Sequence, residues 1–428
     1  MTDTIFALAT ARGRAGIAVV RVSGPLALEA AAALGVVGLK PRHATLRNLI
    51  ANDELLDSGL VLLFEAGGSF TGEPVVEFQI HGGEAVVAAL LRFLENVPGL
   101  RLAEAGEFTR RALENGVMDL TQVEALADLI DSETEAQRRQ AQMVLTGAIG
   151  QKAAVWRKDL IRAAALIEAT IDFADEDVPV DVVPDVLDIV VRLHRAFQDE
   201  IDGSRGAERV RAGFEVAIIG APNVGKSSLL NALVGRDAAI TSAIAGTTRD
   251  IIEVRMDIGG LPVSLLDTAG LRDTDDEIER IGVDRAKQRA EMADLRVLVL
   301  EPGETANPGL CGNADIVVWS KADLFPREGA VSSLTGYGLD GLVDQIRRHL
   351  EGRVSGSGVL IRERHRSALK TACESMESAQ RWLYNGDPSL ELVAADIRAA
   401  SHALDLLVGK IGVETLLDEI FSSFCIGK

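Results

Sequence analysis

The sequence predicts a mixed α/β and α protein: an N-terminal α/β domain, then a helical bundle with a second α/β domain inserted into it. Three observations carry this prediction. The apolar run Glu215-Val-Ala-Ile-Ile219 leads into Gly220-Ala-Pro-Asn-Val-Gly-Lys-Ser-Ser228, which fits G-x-x-x-x-G-K-[ST] in a strand, loop and helix setting. Strand-like and helix-like stretches alternate from 210 to 352, as a parallel sheet requires. Ala- and Leu-rich helical periodicity fills 119–209 and returns at 353–428. Domain termini commonly lie close together, so the economical packing joins those two helical segments into one bundle around the insert.

Residues 1–118 read as the N-terminal α/β domain. Ile17-Ala-Val-Val-Arg-Val22, Gly59-Leu-Val-Leu-Leu-Phe64 and Val75-Val-Glu-Phe-Gln-Ile80 are strand-like runs bounded by Gly, Ser and Pro. Helical patterns lie between them at 25–34 and 84–95. Arg21 and Glu77 interrupt apolar strands, so they either face outward or line a polar pocket, and the pattern alone favours the outward face. His81 has no second His or Cys at ligand spacing, which argues against a metal role.

From 119 to 209 the chain turns helical. Thr121 reads as the N-cap of a first helix, Gly147 and Gly150 punctuate the run, and 155–171 carries apolar residues at helical spacing. Asp172, Asp175, Glu176 and Asp177 cluster without the spacing of a calcium loop and read as a solvated turn. Ser204-Arg-Gly206 reads as the joint to the next domain.

The inserted domain, 210–352, holds four motifs in the order of a GTPase. In the first, backbone N–H groups and Lys226 surround a phosphate, and the Ser227 hydroxyl is placed to ligate Mg²⁺. Thr247 and Thr248, in Gly246-Thr-Thr-Arg-Asp250, lie where a switch segment closes over Mg²⁺ and the γ-phosphate. Asp267-Thr-Ala-Gly270 follows the strand-like Leu261-Pro-Val-Ser-Leu-Leu266, the place of the carboxylate that reaches Mg²⁺. Ser320-Lys-Ala-Asp323 follows Asp315-Ile-Val-Val-Trp319, and an Asp there accepts from guanine N1–H and N2–H₂, donors that adenine lacks. Later come helical patterns at 278–292 and 339–350, with a strand at 295–300. The segment 301–314 is short and Pro/Gly-rich, leaving little room for a crossover helix. Beyond 352, helices are expected at 362–384, 389–408 and 413–424.

Composition bounds the function. Hydrophobic content of 47% and charged content of 25% fit an ordinary globular protein. No apolar run reaches about 18 uncharged residues, and Met1-Thr-Asp-Thr4 has no basic leader, so neither a membrane span nor a secretory signal is expected. Three widely spaced cysteines, Cys311, Cys373 and Cys425, fit a reducing cytoplasm. A net charge of −20 argues against gripping nucleic acid by bulk electrostatics, so any RNA contact must be local. Arg362, Arg364, His365, Arg366 and Lys370 form either such a phosphate patch or a solvated helix face.

Motifs along nearly the whole chain resemble the MnmE/TrmE tRNA-modification GTPases. They include Asp3-Thr-Ile5, Gly13-Arg-Ala-Gly16, Phe70-Thr-Gly-Glu73, His81-Gly-Gly83, Gly106-Glu-Phe-Thr109, Asp119-Leu-Thr-Gln-Val-Glu-Ala125, Ile171-Asp-Phe173, the GTPase motifs and the terminal Phe424-Cys-Ile-Gly-Lys428. The resemblance implies a homodimer through a folate-binding-type N-terminal domain that takes 5-formyl- or methylene-tetrahydrofolate as one-carbon donor. It also implies an FAD-dependent partner, MnmG (GidA), and an aminomethyl-type group installed on C5 of the wobble uridine of certain tRNAs. Arg21, Glu77 and Lys428 match folate-pocket positions, which reverses the outward-face preference, and Val117 stands where a pocket Lys is expected.

By the same resemblance, GTP is held by Asn223, Val224, Gly225, Lys226, Ser227, Ser228, Ser242, Thr247, Thr248, Asp267, Thr268, Ala269, Gly270, Ser320, Lys321, Asp323, Ser332 and Ser333. Mg²⁺ falls to Ser227 and Thr248, and K⁺ to Asn223, Ser242, Ile244 and Thr247. This chain has Ser320 for the usual Asn and Leu334 for the usual Lys of the base loops. Leu271 stands where Ras-type enzymes carry the Gln that orients water, and an apolar side chain cannot do that. The family's answer is a Glu matching Glu279, with K⁺ supplying the positive charge of an arginine finger. Cys425 is either a small buried residue or, from its place on a short tail with little to pack a core, a nucleophile toward uridine C6 or a protecting thiol, and the position favours the latter. Two other readings stay open: an RNA-binding ribosome-assembly GTPase without covalent chemistry, and a folate enzyme with a regulatory GTPase and no RNA.

Overall fold

The computed structural model describes residues 3–172, 182–235, 253–267, 289, 291–305, 314–354, 358–385, 389–411, 420–421, 424 and 427. The chain divides into two compact units, Met1–Ala127 with Asp405–Lys428, and Asp128–Leu404. The helical residues are therefore shared between the units.

In the first unit, six strands, β1 (Thr4–Leu8), β2 (Ala15–Ser23), β3 (Thr45–Ala51), β4 (Glu54–Phe64), β5 (Val75–Gly82) and β6 (Leu100–Leu102), form one sheet. Their order is β3-β4-β5-β2-β1-β6, antiparallel except for β1 with β6. Helices α1 (Ala27–Ala33), α2 (Glu84–Glu95), α3 (Glu107–Glu114) and α4 (Leu120–Ile130) accompany it. Alternation along β2 and β5 sends Ala18, Val20, Val22, Val76, Phe78 and Ile80 into the main core, where Ala27, Ala30, Leu90 and Leu94 of α1 and α2 meet them. The opposite face carries a smaller cluster of Ile5, Ala7, Ala103 and Phe108, with Phe70 against it.

The sequence reading found the three central strands and missed β1, β3 and β6. The last is three residues long and β3 is an edge strand whose outer side chains are exposed, so neither carries a strong apolar signal. The start of α4 also differs from expectation. The Asp119 carboxylate accepts the Gln122 N–H at 2.9 Å and the Thr121 hydroxyl at 2.6 Å, while the Gln122 side chain accepts the Asp119 N–H. Asp119, not Thr121, satisfies the open amides of the first turn.

In the second unit come α5 (Glu135–Leu145), α6 (Ala148–Asp172), α7 (Val183–Ala212), α8 (Lys226–Val234), α9 (Leu339–Val354), α10 (Glu363–Tyr384) and α11 (Leu390–Val408), the last running on past Leu404. Strands β7 (Phe214–Gly220), β8 (Glu253–Ile258), β9 (Leu261–Asp267), β10 (Leu295–Leu300) and β11 (Ile316–Trp319) form a sheet of order β11-β10-β7-β9-β8, parallel except for the edge strand β8. Leu229, Leu230 and Leu233 of α8 and Leu339, Leu342, Ile346 and Leu350 of α9 share one core with its strands. Among the helices, α10 lies along α7, and Trp156 of α6 meets Phe197 of α7 edge-on at 5.1 Å.

Helix α7 runs unbroken through Ser204-Arg-Gly206, so the expected joint there is wrong. The Ser204 hydroxyl is buried and donates to the Ile201 carbonyl at 2.6 Å, which keeps a turn-prone residue inside the helix. The helix ends at Gly213, whose φ of 96° turns the chain directly into β7.

The expected helices at 278–292 and 413–424 and the acidic turn lie wholly or largely outside the described residues. Among the described residues no helix is long and apolar enough to cross a membrane.

Candidate functional site

Strand β7 delivers the chain to the phosphate-binding loop, and two glycines make the loop possible. Gly220 has a φ of 151°, and a Cβ there would collide with the Val299 carbonyl oxygen of β10. Gly225 caps α8 in the left-handed region at φ 106°, and Asn223 sits at φ 61°. Val224 is buried in the core beneath, whereas Asn223 and Ser228 are exposed and Ser227 is half-buried.

Lys226 is 5% exposed, and its ammonium donates to the Gly220 and Ala221 carbonyls at 2.9 and 2.8 Å. Burial pushes its pKa down, an effect partly offset by the buried Asp267 carboxylate. A cation kept dry on its own loop's carbonyls needs little rearrangement to meet a phosphate. Asp267 ends β9 directly beside β7, paired in register with Ile218.

The loops expected to read the base come in from β11. The Ser320 hydroxyl donates to the Leu300 carbonyl at 3.2 Å, and its Cβ lies 3.9 Å from where a Cβ on Gly225 would be, so this loop abuts the phosphate loop. Lys321, at φ 58°, lies 3.6 Å from Glu301. The buried Ser332 hydroxyl donates to the Asp323 carboxylate at 2.6 Å and accepts the Thr335 N–H at 3.3 Å. Ser333 is half-buried and Leu334 points into solvent.

The structure thus gathers the phosphate loop, Asp267, and the loops of Ser320–Asp323 and Ser332 at the carboxyl edge of one parallel sheet. That edge is where open α/β sheets bind ligands. The chemistry of this donor set, a lysine with turned backbone amides at a helix start and a carboxylate held for N–H donors, fits a guanine nucleotide. Ser242, Ile244, Thr247, Thr248, Thr268, Ala269, Gly270, Leu271 and Glu279 lie outside the described residues.

A second polar site lies on the minor face of the N-terminal sheet. Arg21 and Glu77 are register partners in β2 and β5, and the Arg21 Nε donates to Glu77 at 2.9 Å. Neither faces open water: their side chains are 19% and 17% exposed, and the Arg21 guanidinium lies 5.1 Å from the Phe70 ring centre and 5.5 Å from that of Phe108. The outward-face preference is therefore overturned. The sheet has a core on both faces, and alternation alone cannot report that.

Sequence reasoning missed the buried network beside this pair. Ser23, next on the same face of β2, shares a hydrogen bond with Thr71 at 2.7 Å and donates to Glu73 at 2.8 Å. Arg111 of α3 donates to Glu73, to Glu107 at 3.0 Å and to Asp3 at 2.8 Å. Burial would raise the Glu107 carboxyl, but Arg101, the Glu104 N–H and Arg111 hold it below its ordinary range. The i,i+4 spacing of Glu107 and Arg111 was the available signal; the further partner of Arg111, Asp3, is a long-range contact. The network fixes the loop that carries Phe70. Val117 packs near Gly72 of that loop.

The C-terminal segment returns to this unit. Phe421 and Phe424 are buried with Val123, and a Cβ on Gly427 would collide with the Leu8 carbonyl of β1. Cys425 and Lys428 lie outside the described residues. The basic run of α10 is no free phosphate patch: Arg362 pairs with Asp128 at 2.7 Å, Arg366 with Glu208 at 2.9 Å, Lys370 with Glu374 at 3.9 Å, and His365 is fully buried. Among the described residues no His, Cys, Asp and Glu group has a metal-binding arrangement.

Comparisons with known proteins cover both units. The family model described as GTP-binding protein TrmE N-terminus matches residues 4–117, and that of the MnmE helical domain matches residues 120–425. The tRNA modification GTPase MnmE of Cereibacter sphaeroides is 60% identical over 428 residues, and that of Ruegeria pomeroyi is 56% identical, each match covering 100% of both chains. A solved structure of an Era variant from Aquifex aeolicus is 27% identical, covering 38% of this chain and 66% of its own at a TM-score of 0.26. The full-length matches at this identity decide the matter: the chain is a GTP hydrolase and belongs to the MnmE family of tRNA modification GTPases.

Proposed function

We propose that this chain is a cytoplasmic, homodimeric, K⁺-stimulated GTPase that acts with an FAD-dependent MnmG partner on tRNA. Together they install an aminomethyl-type group on C5 of the wobble uridine, with 5-formyl- or methylene-tetrahydrofolate as one-carbon donor. The observation that carries this reading is the Arg21–Glu77 pair, held half-buried between Phe70 and Phe108 in a domain apart from the nucleotide loops. A GTP switch alone has no use for such a pair, whereas a ligand with both donors and acceptors does.

In the nucleotide site, Lys226 and the amides after Gly220 hold the phosphates and Asp323 reads guanine. Ser227 and Thr248 would hold Mg²⁺, and Asn223, Ser242, Ile244 and Thr247 would hold K⁺, which supplies positive charge to the developing transition state. Glu279 orients the attacking water in place of the missing Gln. In the N-terminal site, Arg21, Glu77 and Lys428 hold the folate, and Cys425 serves the uridine chemistry as nucleophile or protecting thiol.

The deciding experiment is nucleoside analysis of tRNA from cells lacking this protein. Loss of the wobble-uridine modification, restored by the wild-type chain but not by Cys425→Ser, is expected; an unchanged nucleoside profile in the deletion overturns the reading.

A further inference from the structure

We infer that a cleft on the far edge of the nucleotide-domain sheet binds backbone phosphates of the RNA substrate. This rests on the reading above that the substrate is tRNA. The cleft has a volume of about 600 Å³, and its walls carry Arg205, Arg209, Arg353 and Arg366 together with Glu208 and Asp294. It opens where α7 passes into β7, beside Phe214, where β10 begins after Asp294 and where α9 ends at Arg353. All three points lie at the amino edge of the parallel strands. The phosphate loop and Asp267 lie at the carboxyl edge, so the nucleotide of the GTPase site is not what this cleft holds.

The charges are not all spent on one another. Asp294 is taken by Arg209 at 2.9 Å and by the Glu215 N–H at 2.9 Å, and Glu208 is taken by Arg366 at 2.9 Å. These two pairs fix the walls. Arg205 is exposed and makes no ion pair among the described residues, and Arg353 is half-exposed, with Asp315 at 3.9 Å and Asp294, already held by Arg209, within electrostatic reach. Arg205 therefore keeps its N–H donors unpaired in a concave site, and Arg353 keeps donors beyond its single long contact with Asp315.

Phosphate is the ligand chemistry that suits this arrangement. A guanidinium fork meets two phosphate oxygens at once, and it is less strongly hydrated than an ammonium, so it gives up water at lower cost. All four cations of the cleft are arginines. In a chain of net charge −20 the long-range field repels a polyanion, so an RNA must be held by local cationic sites of this kind.

The test uses the full chain and unmodified tRNA, with binding measured over a series of KCl concentrations. The double variant Arg205→Gln/Arg353→Gln should bind tRNA about tenfold or more weakly at low salt. It should lose roughly one to two units from the slope of log affinity against log salt, since each phosphate contact contributes about 0.7–0.9. Arg205→Lys/Arg353→Lys should keep most of the slope. The control Arg192→Gln/Arg398→Gln removes the same charge from residues paired with Asp159 and Glu168 and should leave the slope near wild type. GTP turnover should be unchanged in all of them, which reports that the domain is folded.

A wild-type slope in the cleft variant, or an equal loss in the control, overturns the cleft. Binding of inorganic pyrophosphate by the wild type that the cleft variant loses, with tRNA binding intact, overturns RNA as the occupant. Absence of any tRNA binding by the wild type sinks the tRNA reading and this inference with it.

Discussion

The Ser332 hydroxyl donates to the Asp323 carboxylate at 2.6 Å from a fully buried position, so the residue proposed to read the base is aimed by a neighbour nine positions later. Ser332→Ala should raise the GTP dissociation constant roughly fivefold to tenfold, the worth of an oriented hydrogen bond to a charged group, about 1–1.5 kcal/mol. Asp323→Asn should shift preference from guanine toward xanthine nucleotides, since an amide donor opposes guanine N1–H. Competition of GTP and XTP for a fluorescent nucleotide measures both. Wild-type discrimination in Asp323→Asn would remove Asp323 as base reader.

GTP turnover should be faster in K⁺ than in Na⁺, because the chain carries Leu271 in place of a water-orienting Gln. Asn223→Ala should erase the difference. Glu279→Ala should lower turnover about 100-fold while GTP binding stays within about twofold, the pattern of a group that acts in the transition state. Phosphate release in matched chloride salts decides; equal wild-type rates in the two salts count against the cation site.

Arg21→Lys should weaken tetrahydrofolate binding nearly as much as Arg21→Ala. A lysine cannot donate to Glu77 while presenting a flat cation to Phe70 and Phe108. Equilibrium dialysis of 5-formyl-tetrahydrofolate is the measurement, with GTP turnover as the folding control. Wild-type affinity in Arg21→Ala would return the pair to a structural role.

Arg111→Gln should destabilise the N-terminal unit by about 3–5 kcal/mol near neutral pH, because it takes the cation from the buried Glu73 and leaves Glu107 with Arg101 alone. The pH sign follows from Glu107, whose folded pKa lies below its ordinary 4.5. Its stabilisation is fully present above that ordinary value and is lost as pH falls through the lower, folded pKa. The gap in melting temperature between wild type and Arg111→Gln should therefore be widest at pH 6–7 and shrink as pH falls below about 4. A gap independent of pH would show that packing, not charge, makes the difference.

The sequence by itself determined the loops of the proposed nucleotide site. Gly220, Gly225, Lys226, Asp267 and Asp323 are tied to strand ends within one domain, and the requirements of a phosphate loop are local: glycine φ values, a helix start and a lysine at fixed offset. It also determined the long helices and the central strands, whose apolar periods are strong. Only the tertiary structure decided the state of Arg21 and Glu77, because a sheet with a core on both faces gives a buried polar pair the same alternation as a solvent-facing one. The same holds for the cations at the start of α10, which read equally as a patch or a solvated face until Asp128 and Glu208 arrive from distant helices. Ser204 and Gly206 were misread for a related reason: turn propensity is a weak local preference, and packing of α7 against α6 and α10 overrides it. What depends on residues far apart in the chain is set by burial, and burial is a property of the fold.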